Sequence, residues 1–297
     1  MKHTFLLCAR GLALHEAIPP GDYTIAQTRE NLALPLAEAP GHTFVGANAR
    51  AWSCAARVDM LRSTISVLCK RVIMYVVIVA NAPDADLAPY QAQIAAADLL
   101  IAADGGAEAL LRANMPPHLV LGDLDSVRPA SLEALAARGT EVRRFPREKD
   151  ETDLELALLV AAERGATTID MLGALGGRWD HTLANIALLD HPALRTCHVR
   201  ILADRQALFL VRDAAELHGQ HGDTVSLLPL TPIVDGVTTT GLFYPLMDAT
   251  LHYEQARGIS NVLLESPAHV SITSGLLLVV QHDDGGAYQW NTPVQTS

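Results

Sequence analysis

The sequence predicts an α/β chain, in which an open parallel sheet of Rossmann-like type for nucleotide is followed by a smaller all-β sandwich. Three observations predict it. From residue 73 to about 195, apolar strand-like runs alternate with helical runs, the rhythm of a parallel sheet covered on both faces. Beyond about 197 the runs are short, β-prone and separated by turn residues, with no long helix among them. Within the first region, four segments rich in carboxylates or glycines each fall where a strand gives way to a turn or helix. In such sheets that edge binds ligands.

Residues 1–72 carry Pro19-Pro20-Gly21, Pro35, Pro40-Gly41 and scattered arginines without a sustained period. They read as an irregular or flexible extension, or as the product of a start placed upstream of a natural one near Met60 or Met74. Val72-Ile-Met-Tyr-Val-Val-Ile-Val79 reads as the first buried strand. Strands are expected at 73–80, 98–103, 118–122, 141–145 and 167–173, with helices near 86–96, 106–113, 129–138, 153–164 and 181–190. The fourth helix is the best marked, with Thr152 and Glu155 forming a capping box, an apolar stripe through Leu154 and Leu158, and Gly165 as the stop. Eight short strands are expected next: Val199–Leu202, Ala207–Val211, Thr224–Leu228, Val234–Thr239, Thr250–Tyr253, Val262–Leu264, Val270–Ser274 and Leu276–Gln281. The resulting division is 1–72 extension, 73–196 α/β catalytic domain, 197–281 β-sandwich and 282–297 polar tail.

Composition narrows the function. A net charge of −11 argues against an electrostatic grip on nucleic acid or on an anionic membrane. Hydrophobic residues make up 49% and aromatics only 5%, so the core is built mostly from Ala, Leu and Val. The longest apolar run, from Val72 to Ala82, is about half of what a membrane-spanning helix needs. Met1-Lys-His-Thr-Phe-Leu-Leu-Cys-Ala-Arg10 begins like a signal peptide until Arg10 interrupts it. Cys8, Cys54, Cys69 and Cys197 form no CxxC pair, which supports neither a zinc site nor a disulfide framework and suits a reducing cytoplasm. There is no P-loop and no GxSxG elbow.

The four segments carry the chemistry. They are Ala103-Asp-Gly-Gly-Ala107, Leu121-Gly-Asp-Leu-Asp-Ser-Val127, Glu148-Lys-Asp-Glu-Thr-Asp153 and Leu172-Gly-Ala-Leu-Gly-Gly-Arg-Trp-Asp-His181. Asp123 and Asp125 stand two apart in a chain leaving a strand, so their side chains are expected to point the same way. Two such charges repel unless a cation lies between them, and Mg²⁺ takes one or two carboxylates together with phosphate oxygens. Asp153, in the first turn of the helix capped by Thr152, is expected along the same sheet edge, where it also suits the helix dipole. Asp104, Gly105, Gly106, Thr152, Gly176, Gly177 and Arg178 are expected around ATP, because glycines let backbone N–H groups approach phosphate and Arg178 grips it bidentately; Lys149 either joins them at a phosphate or is a solvated lysine. Asp180 either caps the following helix or contacts substrate.

Together the segments resemble the thiamine pyrophosphokinase family over about residues 74–281. Thr238-Thr-Thr-Gly-Leu-Phe-Tyr-Pro-Leu246, Arg257-Gly-Ile-Ser-Asn261 and Ser274-Gly-Leu-Leu-Leu278 extend the likeness. The resemblance implies transfer of the terminal diphosphate of ATP to the hydroxyethyl group of thiamine, giving thiamine diphosphate and AMP, by a homodimer with its site between subunits. It places Mg²⁺ on Asp123, Asp125 and Asp153. Asp104, Arg178 and Asp180 then line the ATP and substrate cleft, with Thr238, Tyr244, Ser260 and Asn261 at the thiamine end. Arg178 adds to charge neutralisation, and one aspartate, left open, takes the hydroxyl proton. The competing readings are a diphosphokinase for a hydroxymethyl-pterin, a nucleotide- or thiamine-binding regulator without turnover, and a metal-dependent phosphohydrolase.

Overall fold

Tyr75-Val-Val-Ile-Val79, Leu99–Ala103 and Thr168–Leu172 are buried at every residue, as strands with helices on both faces must be. They are β1, β2 and β5 in a computed structural model that describes residues 73–82 and 85–284. The expected extension, 1–72, and all but the first three residues of the expected tail lie outside the described residues. The other parallel strands are β3 (Leu119–Gly122), β4 (Glu141–Arg144) and β6 (His198–Ala203). Between them run α1 (Gln91–Ala96), α2 (Gly106–Arg112), α3 (Pro129–Ala137), α4 (Asp153–Glu163) and α5 (Trp179–Ala187). Thr152 caps α4 as expected, its Oγ1 accepting from the Glu155 N–H at 3.1 Å, and Gly165 follows at φ +87°.

Successive residues of each strand feed two cores. Val76, Ile78, Ile101, Leu121 and Met171 pack with Leu154, Leu158 and Ala161 of α4. Val77, Val79, Leu100, Val120 and Leu172 pack with Leu110 of α2 and Leu135 of α3. This alternation is the period of two expected of a strand buried on both faces. β4 closes the sheet with Glu141, Arg143 and Arg144, charges that discourage edge-to-edge pairing.

The sheet does not stop at residue 197. Its order is β12-β9-β14-β7-β6-β5-β1-β2-β3-β4, ten strands in all. β6, read from sequence as the first strand of the all-β part, pairs in parallel with β5 and so belongs to the α/β sheet. A two-residue turn at Asp204 and Arg205, φ 47° and 64°, returns the chain as β7 (Gln206–Val211), antiparallel to β6. β14 (Leu277–His282), β9 (Thr224–Pro229) and β12 (Asn261–Val262) extend the sheet antiparallel. A second sheet, β11-β10-β13-β8, holds Ala249–His252, Ile233–Thr240, Ala268–Ser271 and Ala214–Leu217. Val211, Leu227, Val234, Leu251, Val270 and Val279 fill the layer between the sheets, which makes this half a sandwich. β8 was not anticipated. Ala-Ala-Glu-Leu has little strand propensity, and its pairing with β13 is a tertiary outcome.

A buried ion pair ties three strands together. Tyr75 Oη of β1 donates to Asp170 Oδ2 of β5 at 2.7 Å, and Arg200 of β6 grips the same carboxylate through Nε and Nη2 at 2.8 and 2.7 Å. Burial first, and the Asp170 charge second, hold the Tyr75 phenol far above its ordinary pKa. Asp170→Ala leaves the half-buried Arg200 guanidinium without this partner. A loss of about 3–5 kcal/mol in urea denaturation is the expected result.

Candidate active site

The chain leaves β2 at Asp104, leaves β3 at Asp123 and enters α4 at Asp153. One carboxylate oxygen of each lies within 4.8 Å of the others. Asp104 adopts φ 46° and is buried, and its Oδ1 finds no hydrogen-bond partner among the described residues. Gly122 makes this convergence possible: at φ 140°, a Cβ there would stand 3.1 Å from the Asp153 carboxyl and 3.3 Å from Asp104 Cβ. Burial raises the Asp153 pKa, partly offset by Lys149, whose Nζ is 3.0 Å from Asp153 Oδ1; the Asp104 and Asp123 charges push it up further. Three hard oxygen donors, one of them buried with an unused oxygen, fit a divalent cation such as Mg²⁺.

Asp125 is not part of this group. Leu124 is buried at φ 62°, a left-handed turn that breaks the strand alternation on which a shared direction for Asp123 and Asp125 was expected. Asp125 instead folds back locally. Its N–H donates to Asp123 Oδ1 at 3.1 Å, its Oδ1 accepts from Ser126 Oγ at 3.1 Å, and Arg147 Nη1 stands 4.0 Å from its Oδ2. Asp104, read from sequence as a nucleotide contact, stands in its place among the three carboxylates.

Beside the carboxylates lies a cavity of about 490 Å³ lined by Asn81, Gly105, Glu108, Arg112, Ser126 and Arg128, among others. Gly106 lets α2 start directly over the end of β1, since a Cβ there would sit 2.0 Å from the Val79 carbonyl oxygen. Arg128 donates to Glu108 through its backbone N–H at 3.0 Å and through Nη2 at 2.8 Å, and the guanidinium holds the Glu108 carboxyl at about 2. Of the cavity residues, Gly105 and Ser126 lie in the segments singled out in the sequence. Asn81, Arg112 and Arg128 belong to no motif, and only the fold brings them here.

Gly176 and Gly177, at φ 99° and 70°, shape the turn before α5. The turn is pinned by Gly176 N–H to Thr182 Oγ1 at 3.2 Å and by Asn185 Nδ2 to the Ala174 carbonyl at 2.7 Å. Arg178 and Asp180 pair with each other, Nε to Oδ1 at 3.0 Å, which keeps the Asp180 carboxyl at about 2. Asp180 lies in the first turn of α5 without capping it. That helix is mixed in polarity on both faces. It buries Thr182 and Asn185 while leaving Trp179 80% and Leu183 64% exposed.

In the sandwich, Asn261 is fully used in holding a loop. Its Oδ1 accepts from the Tyr244 N–H at 2.9 Å and its Nδ2 donates to the Tyr244 carbonyl at 2.7 Å. Thr238 Oγ1 accepts from Asp248 N–H at 3.1 Å, and Thr239, which sequence reading had passed over, accepts from Leu246 N–H at 2.9 Å. The loop so held projects Phe243 and Tyr244, edge to face with centroids 4.7 Å apart, and Met247, all exposed. Ser260 sits beside it at φ 58°, its N–H bonded to Ser226 Oγ at 3.1 Å. Seven strands separate β12, where Asn261 lies, from β3, which Asp123 follows. At about 4.8 Å per spacing, the two stand about 38 Å apart along the sheet.

Among known proteins, residues 90–202 match the family model of the thiamin pyrophosphokinase catalytic domain, and residues 214–277 match that of the thiamin pyrophosphokinase vitamin B1 binding domain. The chain is 30% identical over 189 residues to thiamine pyrophosphokinase of Bacillus subtilis (strain 168), covering 63% of this chain and 88% of the relative. It is 29% identical over 205 residues to thiamine pyrophosphokinase 3 of Oryza sativa subsp. japonica, covering 60% of this chain and 76% of that one. The crystal structure of the Bacillus subtilis thiamine pyrophosphokinase superposes with a TM-score of 0.62 at 28% identity, covering 71% of this chain and 99% of that structure.

Proposed function

The chain belongs to the thiamine pyrophosphokinase family, and on that premise we propose how its residues divide the work. It is a kinase that makes thiamine diphosphate. The α/β part, 73–196, takes ATP, and the part from 197 to 281 takes thiamine. Asp104, Asp123 and Asp153 would hold Mg²⁺, which supplies charge neutralisation on the phosphates when bound. The observation that carries this reading is the convergence of three carboxylates around Asp104, which is buried and whose Oδ1 has no hydrogen-bond partner among the described residues.

The backbone of Gly105 and Gly106 and the turn at Gly176 and Gly177 approach the phosphates, with Lys149 and Thr152 at the start of α4 beside them. Arg178 exchanges its pairing with Asp180 for the transferred diphosphate, where its guanidinium offsets charge as the bond to AMP breaks. Asp125, on the rim beside Asp123, faces the arriving substrate, as does Asp180 once Arg178 leaves it. The thiamine hydroxyl attacks the β-phosphorus and gives its proton to a carboxylate at the site. At the other end Tyr244 covers the cationic ring, with Ser260 beside it and Thr238 and Asn261 holding the loop.

The 38 Å between these ends supports a homodimer in which each site joins the carboxylates of one subunit to the Tyr244 loop of the other. The exposed Trp179 and Leu183 give such a dimer an apolar surface to cover. No helix among the described residues is long and apolar enough to cross a membrane, and a reaction that consumes ATP suits the cytoplasm. Incubation with ATP, Mg²⁺ and thiamine should release AMP and thiamine diphosphate in equal amounts, with a hydroxymethyl-pterin giving neither. EDTA should stop the reaction, and full turnover in EDTA would remove the metal from the proposal.

A further inference from the structure

We propose that Lys149 is the internal counter-ion of the carboxylate site: its ammonium pairs with Asp153 while no metal is bound, so divalent metal enters readily only with a phosphate that draws the ammonium away. This rests on the metal reading of Asp104, Asp123 and Asp153 given above.

Three carboxylates within 4.8 Å of one another carry a repulsion that something must offset. The Lys149 side chain is only 13% exposed, and its Nζ lies 3.0 Å from Asp153 Oδ1. The neighbouring cations are engaged elsewhere. Arg144 donates to the Asp123 backbone carbonyl at 3.1 Å, and Arg147 approaches Asp125. Mg²⁺ sits about 2.1 Å from its ligand oxygens. An ammonium 3.0 Å from an Asp153 oxygen would therefore stand within a few ångströms of a double positive charge on the same carboxylate. Metal and ammonium compete for Asp153.

The ammonium has somewhere to go. Beyond that ion pair, the ammonium donates to the Pro146 carbonyl at 3.2 Å, and four methylenes let it swing while α4 stays fixed. A diphosphate arriving at the site offers oxygens to both cations. The ammonium then passes from carboxylate to phosphate as the metal takes Asp153. The consequence is ordered loading, with metal alone bound weakly and metal with phosphate bound well, a coupling between two ligands through one side chain.

The test measures Mn²⁺ binding to the nucleotide-free protein at pH 8 by the electron paramagnetic resonance signal of free Mn²⁺. Lys149→Gln should tighten Mn²⁺ by about tenfold or more, since one nearby unit charge is removed, while raising the KM for Mg–ATP. Lys149→Met should repeat the result should the amide make new bonds. Lys149→Arg should keep Mn²⁺ as weak as in the parent. Unchanged or weaker Mn²⁺ binding in both neutral variants overturns the proposal. Asp123→Asn serves as the reference. Where it abolishes Mn²⁺ binding and the Lys149 variants bind as the parent does, only the counter-ion role falls; where it leaves Mn²⁺ binding unchanged, the metal reading falls and this proposal with it.

Discussion

Asp123→Asn should lower turnover by about a thousandfold while the protein unfolds at its parental urea midpoint. The fold is spared because the Asn side-chain oxygen can still accept the Asp125 N–H now bound at 3.1 Å, and the removed charge lies in a group that repels itself. Catalysis suffers because neutralising phosphate charge is the main aid a protein gives to phosphoryl transfer, and losing one such element costs about 10²–10³. Asp104→Asn should behave alike, with Mn²⁺ affinity falling by about 10- to 100-fold or more in both. Asp125→Asn separates the two possible metal sets. Its carboxylate is half exposed and engaged with Ser126 and Arg147, so Mn²⁺ affinity should drop by less than about tenfold even where turnover falls. Equal losses of Mn²⁺ binding from Asp123→Asn and Asp125→Asn would mean that the bound form gathers a different trio.

Much of this architecture is written locally. β1, β2 and β3 are continuous apolar runs, and α4 carries its own cap and stop, so each follows from a window of ten residues. What is not local is less legible. Nothing between residues 197 and 211 says that β6 pairs in parallel with β5, since a Val-Arg-Ile-Leu run fits either partner, and the turn after it uses Asp204 and Arg205 instead of the glycine that advertises a hairpin. The expected division at 196/197 therefore falls just before a strand that both halves share.

The site follows the same rule. Strand exits bearing Asp104 and Asp123 were readable, and so was Asp153 at a helix start. The choice between Asp104 and Asp125 was not, because it turns on Leu124. A leucine at φ 62° pays for its strain by burying its side chain, and neither the angle nor the burial leaves a mark in the sequence. Asn261 is expected from sequence as a substrate contact, but its amide is spent on both backbone groups of Tyr244, so that it orders the aromatic loop; under the proposed function ring contact is left to Tyr244.

That distinction selects the variants for the test of the subunit arrangement. Tyr244→Ala removes an exposed ring without touching a hydrogen bond of the fold. Loss of a cation–π contact of about 2 kcal/mol should raise the KM for thiamine about thirtyfold, with ATP affinity unchanged. Tyr244→Phe should restore most of it. Asp123→Asn does the reverse, stopping turnover with thiamine binding intact. Mixed in equal amounts and allowed to exchange, the two variants form half their dimers as hybrids, and each hybrid holds one site with Asp123 and Tyr244 both present if the site spans two chains. At thiamine well below the raised KM, the mixture should then recover about a quarter of the parental rate, from two preparations that are each nearly inert. A site built within one chain gives no such gain, because every hybrid then carries one lesion in each site. Native mass spectrometry of differently tagged variants establishes exchange beforehand. With exchange established, a mixture as inert as its parts would mean that each chain folds its Tyr244 loop back across some 38 Å of sheet, which ten strands in fixed register oppose.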